Sequence, residues 1–179
     1  MTEARTSQAS VVVVSALHAV LLRELAAVRR TVDAYPDDAR VWAERPGLPN
    51  VGGTLVLHLT GNLQHYLGAV LGRSGYRRDR DAEFSRRDVS RAVLLGEIDA
   101  ARHAIDRGMA VVSEDVLAAP YPEPIAGRTV TTGDFLVHLA THLAFHLGQL
   151  DYHRRVVTGE RGSISPIAVA ELPVRHQER

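Results

Sequence analysis

The sequence predicts an all-α fold, a four-helix bundle, and three observations carry that expectation. Four stretches of about 18–25 residues place apolar side chains at helical spacing. Between them lie segments rich in Pro, Gly or mixed charge, which suit connections. Apolar residues make up 45% of the chain but aromatics only 5%, so the expected core is aliphatic. One domain over residues 1–179 follows, with a core from about 10 to 158 and a C-terminal tail over 159–179.

In chain order, residues 1–8 read as a frayed tail, and a first helix runs from about Ser10 to Ala34. Val14, Leu17, Leu21, Leu25, Val28 and Val32 form its stripe, and Pro36 with the following Asp pair ends it. Residues 36–52 form a loop that carries the single tryptophan, Trp42. The second helix spans about Gly53 to Leu71. On it His58, Asn62, Tyr66 and Ala69 share a face, flanked by Leu55, Leu59, Leu63 and Val70.

Residues 72–88 read as a charged loop. A third helix follows from Ser90, its N-cap, to about Val112, with Val93, Leu94, Ile98, Ala101, Ile105 and Val112 buried. Residues 113–130 hold three prolines and form an irregular connection. Thr132 is expected to cap the fourth helix and Asp134 to favour its first turn. Gly159 suits the residue just beyond its end.

Composition excludes several chemistries. The 21 basic and 21 acidic residues cancel, so neither nucleic acid nor an anionic membrane is the expected partner. All basic residues are Arg, which removes Schiff-base chemistry and the phosphate-loop lysine. With no Cys, any metal must rest on His, Asp or Glu. The apolar N-terminal run has Glu3 before it and Arg23 and Glu24 after it, unlike a signal peptide. No run reaches the 18 or so apolar residues that cross a bilayer, and a cytoplasmic protein is expected.

The chemistry concentrates in residues 134–155, where His138, His142, His146 and His153 lie in one apolar run. Positions four apart share a helix face, so His138, His142 and His146 form a column, continued by Gln149, beside a column of leucines. Asp151 falls outside both columns. Two histidines at i and i+4 reach one ion, and a third from a facing helix completes a tripod with an open position. The candidate ligands are His58, His142 and His146, with His138 in reserve. Spacing alone also permits a His138–His142 pair.

A lone histidine on an apolar face is more often a hydrogen-bonded core residue, and a polar network inside the bundle is the competing reading. Four within one run, matched by one on another apolar helix, favour the metal. Asn62, His65, His138 and Gln149 are the candidate supporting or substrate-facing groups.

The chain resembles the DinB/YfiT-like superfamily of bacterial four-helix bundles. The resemblance rests on HLTGNLQHYL at 58–67, RDRDAEF at 78–84 and HLATHLAFHLGQLDYHRR at 138–155. It covers about residues 15–158, and HxxxHxxxHxGQ is its most specific part. It implies an up-down-down-up bundle, frequently dimeric, with a divalent metal on His58, His142 and His146. Among characterised relatives it implies transferases and isomerases that use low-molecular-weight thiols, and metal-dependent hydrolases. The motifs do not separate these, and RDRDAEF resembles an uncharacterised subgroup.

Two mechanisms follow for a small-molecule substrate. A bound Zn, Ni or Fe ion could acidify a small thiol, or it could acidify water for hydrolysis. Arg77, Arg78 and Arg80 could hold a carboxylate of thiol or substrate, although a solvated loop is the first reading of that segment. A di-iron bundle is excluded because no Glu-x-x-His occurs. A non-catalytic metal- or small-molecule-binding bundle is the remaining alternative.

Overall fold

The protein is described by a computed structural model that covers residues 2–87 and 89–164, with side chains from residue 8 onward. Helix α1 runs Thr2–Asp33, α2 Asp38–Val41 and α3 Gly52–Leu63. A π-helical segment, Gln64–Leu71, continues α3 directly. Then come α4 (Arg80–Ser85), α5 (Arg91–Met109), α6 (Glu114–Ala118) and α7 (Thr132–Thr158). The described residues are mostly helical and contain no strands, only two isolated bridges.

The long helices close a ring of contacts. Helix α1 packs on α5 and α7, and α3 with its π-helical continuation packs on the same two. Leu21, Leu25 and Val28 of α1, Leu55, Leu59 and Leu63 of α3, Leu94 and Ile105 of α5, and Leu136, Leu139 and Leu143 of α7 fill the centre. Each is at most 3% exposed, which marks one continuous aliphatic core. Helix α3 is the most enclosed element, because every residue from Gly52 to Leu63 is buried.

Several sequence expectations need correction. Helix α1 begins at Thr2, so residues 2–8 of the proposed frayed tail are helical. Residues 36–52 contain α2, and residues 113–130 contain α6. Helix α5 ends at Met109, and Val93 is 43% exposed instead of buried. Thr131, not Thr132, caps α7: its Oγ1 accepts from the Asp134 amide at 3.1 Å. Thr132 is buried and donates to Ala119 O instead.

Ser90 does cap α5, and Gly159 ends α7 at φ 78°, a left-handed conformation that glycine adopts without a Cβ clash. Residues 165–179 of the expected tail lie outside the described residues. By length and composition, Gln8–Asp33 is apolar enough to cross a bilayer, which corrects the expectation that no run is. Core helices and N-terminal signal sequences pass the same test; 28% of its apolar window is buried, and Leu21, Leu25, Val28 and Val32 of the helix pack inside.

The largest departure is the charged segment 72–88. Asp79 accepts from the Ala82 amide and so caps α4, which packs against α3. Glu83 is only 5% exposed, although the segment reads as a solvated loop. The π-helical segment is the second surprise. Its wider turn is closed by Gly72 N–H donating to Leu67 O at 2.9 Å, a bond spanning five residues.

Candidate metal centre

His58 sits at the middle of α3, and His142 and His146 lie one turn apart on α7, which packs against it. Their ring centroids are 5.3 Å (His58–His142), 5.3 Å (His58–His146) and 4.5 Å (His142–His146) apart. One ring nitrogen from each lies within 4.8 Å of the others, so this group could hold a metal ion. His58 Nε2 and His142 Nε2 are 3.4 Å apart. Nitrogens at Zn–N distances of ~2.0–2.1 Å in a tetrahedral site sit about 3.3–3.4 Å apart, which the His58–His142 pair matches.

The outer ring nitrogens are fixed by hydrogen bonds. His58 Nδ1–H donates to Glu83 Oε2 at 3.0 Å, which leaves the Nε2 lone pair directed at His142. His146 Nδ1–H donates to Gln149 Oε1 at 2.6 Å, which likewise frees Nε2. Carboxylate- and amide-oriented imidazoles of this kind typify metal sites, because the outer partner sets tautomer and ring direction.

Glu83 is itself clamped by Arg78, whose Nε and Nη2 donate to its two oxygens at 2.6 and 2.9 Å. Burial alone would raise the Glu83 carboxyl. The hydrogen bonds from His58 and Arg78, with the Arg78 charge, more than offset that and hold it below the usual range. Glu83 is therefore ionised at neutral pH.

The two α7 imidazoles of the group, His142 and His146, are held neutral. Burial, then the neighbouring His146, His58 and His138, pushes His142 down to about 4. Burial also lowers His146, against a raising contribution from Gln149. Neutral rings present lone pairs, which is the form a cation needs.

A cleft of 420 Å³ opens over the three histidines, lined also by Asn62, Tyr66, Arg78, Arg80 and Phe84. Asn62 and Gln149 thus lie at the site. His138 and His65 do not join the group. His138 is exposed, stacks on Phe135 at 5.9 Å and lies 5.9 Å from the His142 ring. His65 turns away and pairs with Glu123 at 2.9 Å, because the π-helical turn begins at Gln64 and breaks the α-helical register.

The sequence reading missed Glu83 and the role of Arg78. A signal existed: Asp79 followed by acidic Asp81 and Glu83 is a helix start, and such a helix brings Arg80 and Glu83 onto adjacent positions. The partnership of Glu83 with His58, 25 residues away, carried no local signature.

A family model described as the DinB superfamily matches residues 21–150. The chain belongs to the DinB superfamily. The match spans His58, Glu83, His142 and His146. Neither a curated protein nor a solved structure matches the chain.

Proposed function

We propose that this DinB superfamily protein is a divalent-metal-dependent enzyme that activates a low-molecular-weight thiol for transfer to an electrophilic small molecule. The observation that carries the reading is the convergence of three imidazoles, two of them oriented from behind by Glu83 and Gln149, at the floor of an open cleft. When bound there, a divalent ion such as Zn, Ni or Fe would supply Lewis acidity and lower the pKa of a thiol or water delivered through the cleft. His58, His142 and His146 would hold the ion. Asn62 and Tyr66 line the same cleft and offer donors to a substrate that gathers negative charge.

Hydrolysis by metal-bound water is the second reading. Among the described residues that line the cleft there is no Asp or Glu, so proton transfer with either nucleophile falls to a histidine or Tyr66. The absence of Cys from the chain suits an external thiol.

The same reading takes the four long helices in up-down-down-up order, the protein as cytoplasmic and the assembly as a homodimer. A stripe on α7 supports the dimer: Val137, Phe145, Tyr152 and Val156 are each at least 51% exposed and lie within about 100° of its circumference.

Elemental analysis of protein purified without a His tag, beside a His142→Ala/His146→Ala variant, tests the centre. About one divalent ion per chain, lost in the variant, is expected. Consumption of a small thiol with an activated electrophile, run beside ester hydrolysis, then separates the two reactions. Failure of the native protein to take up added Zn or Ni would overturn the reading.

A further inference from the structure

We propose that the thiol taken by this site carries a carboxylate a short linker away from its sulfur, and that Arg80 binds that carboxylate. The inference rests on the metal–thiol reading above and adds the ligand class. It begins with charge. The cleft over the histidines is lined by two arginines and by no acidic residue, and the ion expected there adds positive charge. The two arginines differ. Arg78 has its Nε and Nη2 committed to Glu83, so its charge is compensated within the protein. Among the described residues no carboxylate pairs with Arg80, whose guanidinium carbon lies over the Phe84 ring, 5.1 Å from its centroid.

That stacking contact orders the guanidinium without consuming its N–H groups. An aromatic face holds the plane while the edge keeps the donor fork that matches a carboxylate. Phe84 in turn lies 5.1 Å from the His58 ring, so the rim cation is one aromatic ring removed from the ligand set. Helix stability does not account for a cation at this position. Arg80 opens the first turn of α4, where the helix dipole disfavours positive charge. Arg77, the third arginine of the segment, is exposed and does not line the cleft.

Cobalt-loaded protein gives a direct test, because a thiolate on Co(II) produces its own absorption band. The probes are mercaptopropionate and its uncharged amide, mercaptopropionamide, titrated into native protein, Arg80→Gln and Arg80→Lys. The native protein is expected to half-saturate with the acid at about tenfold lower concentration than with the amide, the scale of one charge-assisted hydrogen bond. Arg80→Gln removes that preference, while Arg80→Lys restores part of it. An acid-to-amide ratio equal in native protein and Arg80→Gln overturns the inference and leaves the metal centre standing. Absence of cobalt uptake overturns the metal reading itself, and absence of a thiolate band with either probe overturns the thiol reading; this inference falls with both. Far-ultraviolet circular dichroism confirms that the exposed Arg80 variants fold.

Discussion

Glu83 reaches His58 only because residue 61 has no side chain. A Cβ built on Gly61 would stand 2.3 Å from Glu83 Oε1 and 2.9 Å from its carboxyl carbon. The bare backbone of α3 at this point lets α4 settle close enough for the carboxylate to accept from His58 Nδ1 at 3.0 Å. Gly61→Ala should therefore push Glu83 outward while leaving all three histidines in the chain. A Zn affinity lower by about tenfold is expected, the low end of what loss of an outer partner costs a metal-bound histidine. Glu83→Ala should lose as much or more. Competition with a chromophoric chelator measures both, and native affinity in the two variants together would show that Glu83 does not hold His58 for an ion.

His153 lies in the same helix as the metal centre yet serves the fold. It is 1% exposed, its Nε2–H donates to Ala43 O at 2.9 Å, and its Nδ1 accepts from Tyr35 O–H at 2.7 Å. Burial, then the Arg45 charge, depresses its pKa below 6.5, against a raising contribution from the Ala43 bond. Asp151 and Arg154, the charges beside Tyr35, are paired with each other.

Between the depressed folded value and 6.5, the unfolded chain holds a proton on His153 that the folded chain does not. The stabilising contribution of His153 is thus complete above about pH 6.5 and shrinks as the pH falls below it, by at most about 1.4 kcal/mol per unit. Urea unfolding of native protein and His153→Gln at several pH values should show the gap between them narrowing on the acid side. A gap that stays constant from neutral pH to pH 5 would contradict this assignment.

Asp151, placed outside both columns of α7 by spacing, is buried and anchors the chain beyond the helix. Its Oδ1 accepts from Arg154 Nη2 at 2.8 Å and from the Ile164 amide at 3.3 Å, and its Oδ2 accepts from Ser163 at 2.9 Å. Burial would raise its carboxyl, but these bonds and the Arg154 charge hold it below 3.8. Asp151→Asn leaves the buried Arg154 without a counter-charge and should cost about 3 kcal/mol at neutral pH. The penalty should fade as acid protonates Asp151 in the native protein, below its ordinary range. A loss under about 1 kcal/mol in urea unfolding at neutral pH would mean that solvent reaches this pair freely.

What was legible in the sequence follows the range of the interactions involved. His142 and His146 are four residues apart, and an α-helix of any environment sets them one turn apart on one face. Ser90 and Gly159 are legible for the same reason, since capping is decided within a few residues. Thr131 and Thr132 offer two adjacent hydroxyls, and the choice between them fell to packing: Thr132 is the one drawn into the interior to meet Ala119 O.

His65 shows where local periodicity fails. Seven residues from His58, it returns to nearly the same face of an α-helix, but α3 changes to a π-helix at Gln64. Gly108, whose added Cβ would meet Leu67 O at 2.4 Å, shows how closely α5 lies against that altered turn. The helix therefore turns His65 to Glu123 instead of the cleft.

The sequence by itself determined the all-α class, the aliphatic core and the placing of His142 and His146 on one helix face, because composition and helical periodicity are properties of neighbouring residues. It also determined that no thiolate or lysine of this chain takes part, because neither residue type occurs. Only the tertiary structure decided that His58 meets His142 and His146, that Glu83 and Arg78 stand behind His58, and that Arg80 borders the cleft. The reason is desolvation. A charged segment alternating Arg and Asp is stable in water on its own terms, and its Glu83 becomes buried and hydrogen-bonded only where a side-chain-free surface such as Gly61 of α3 lets it approach.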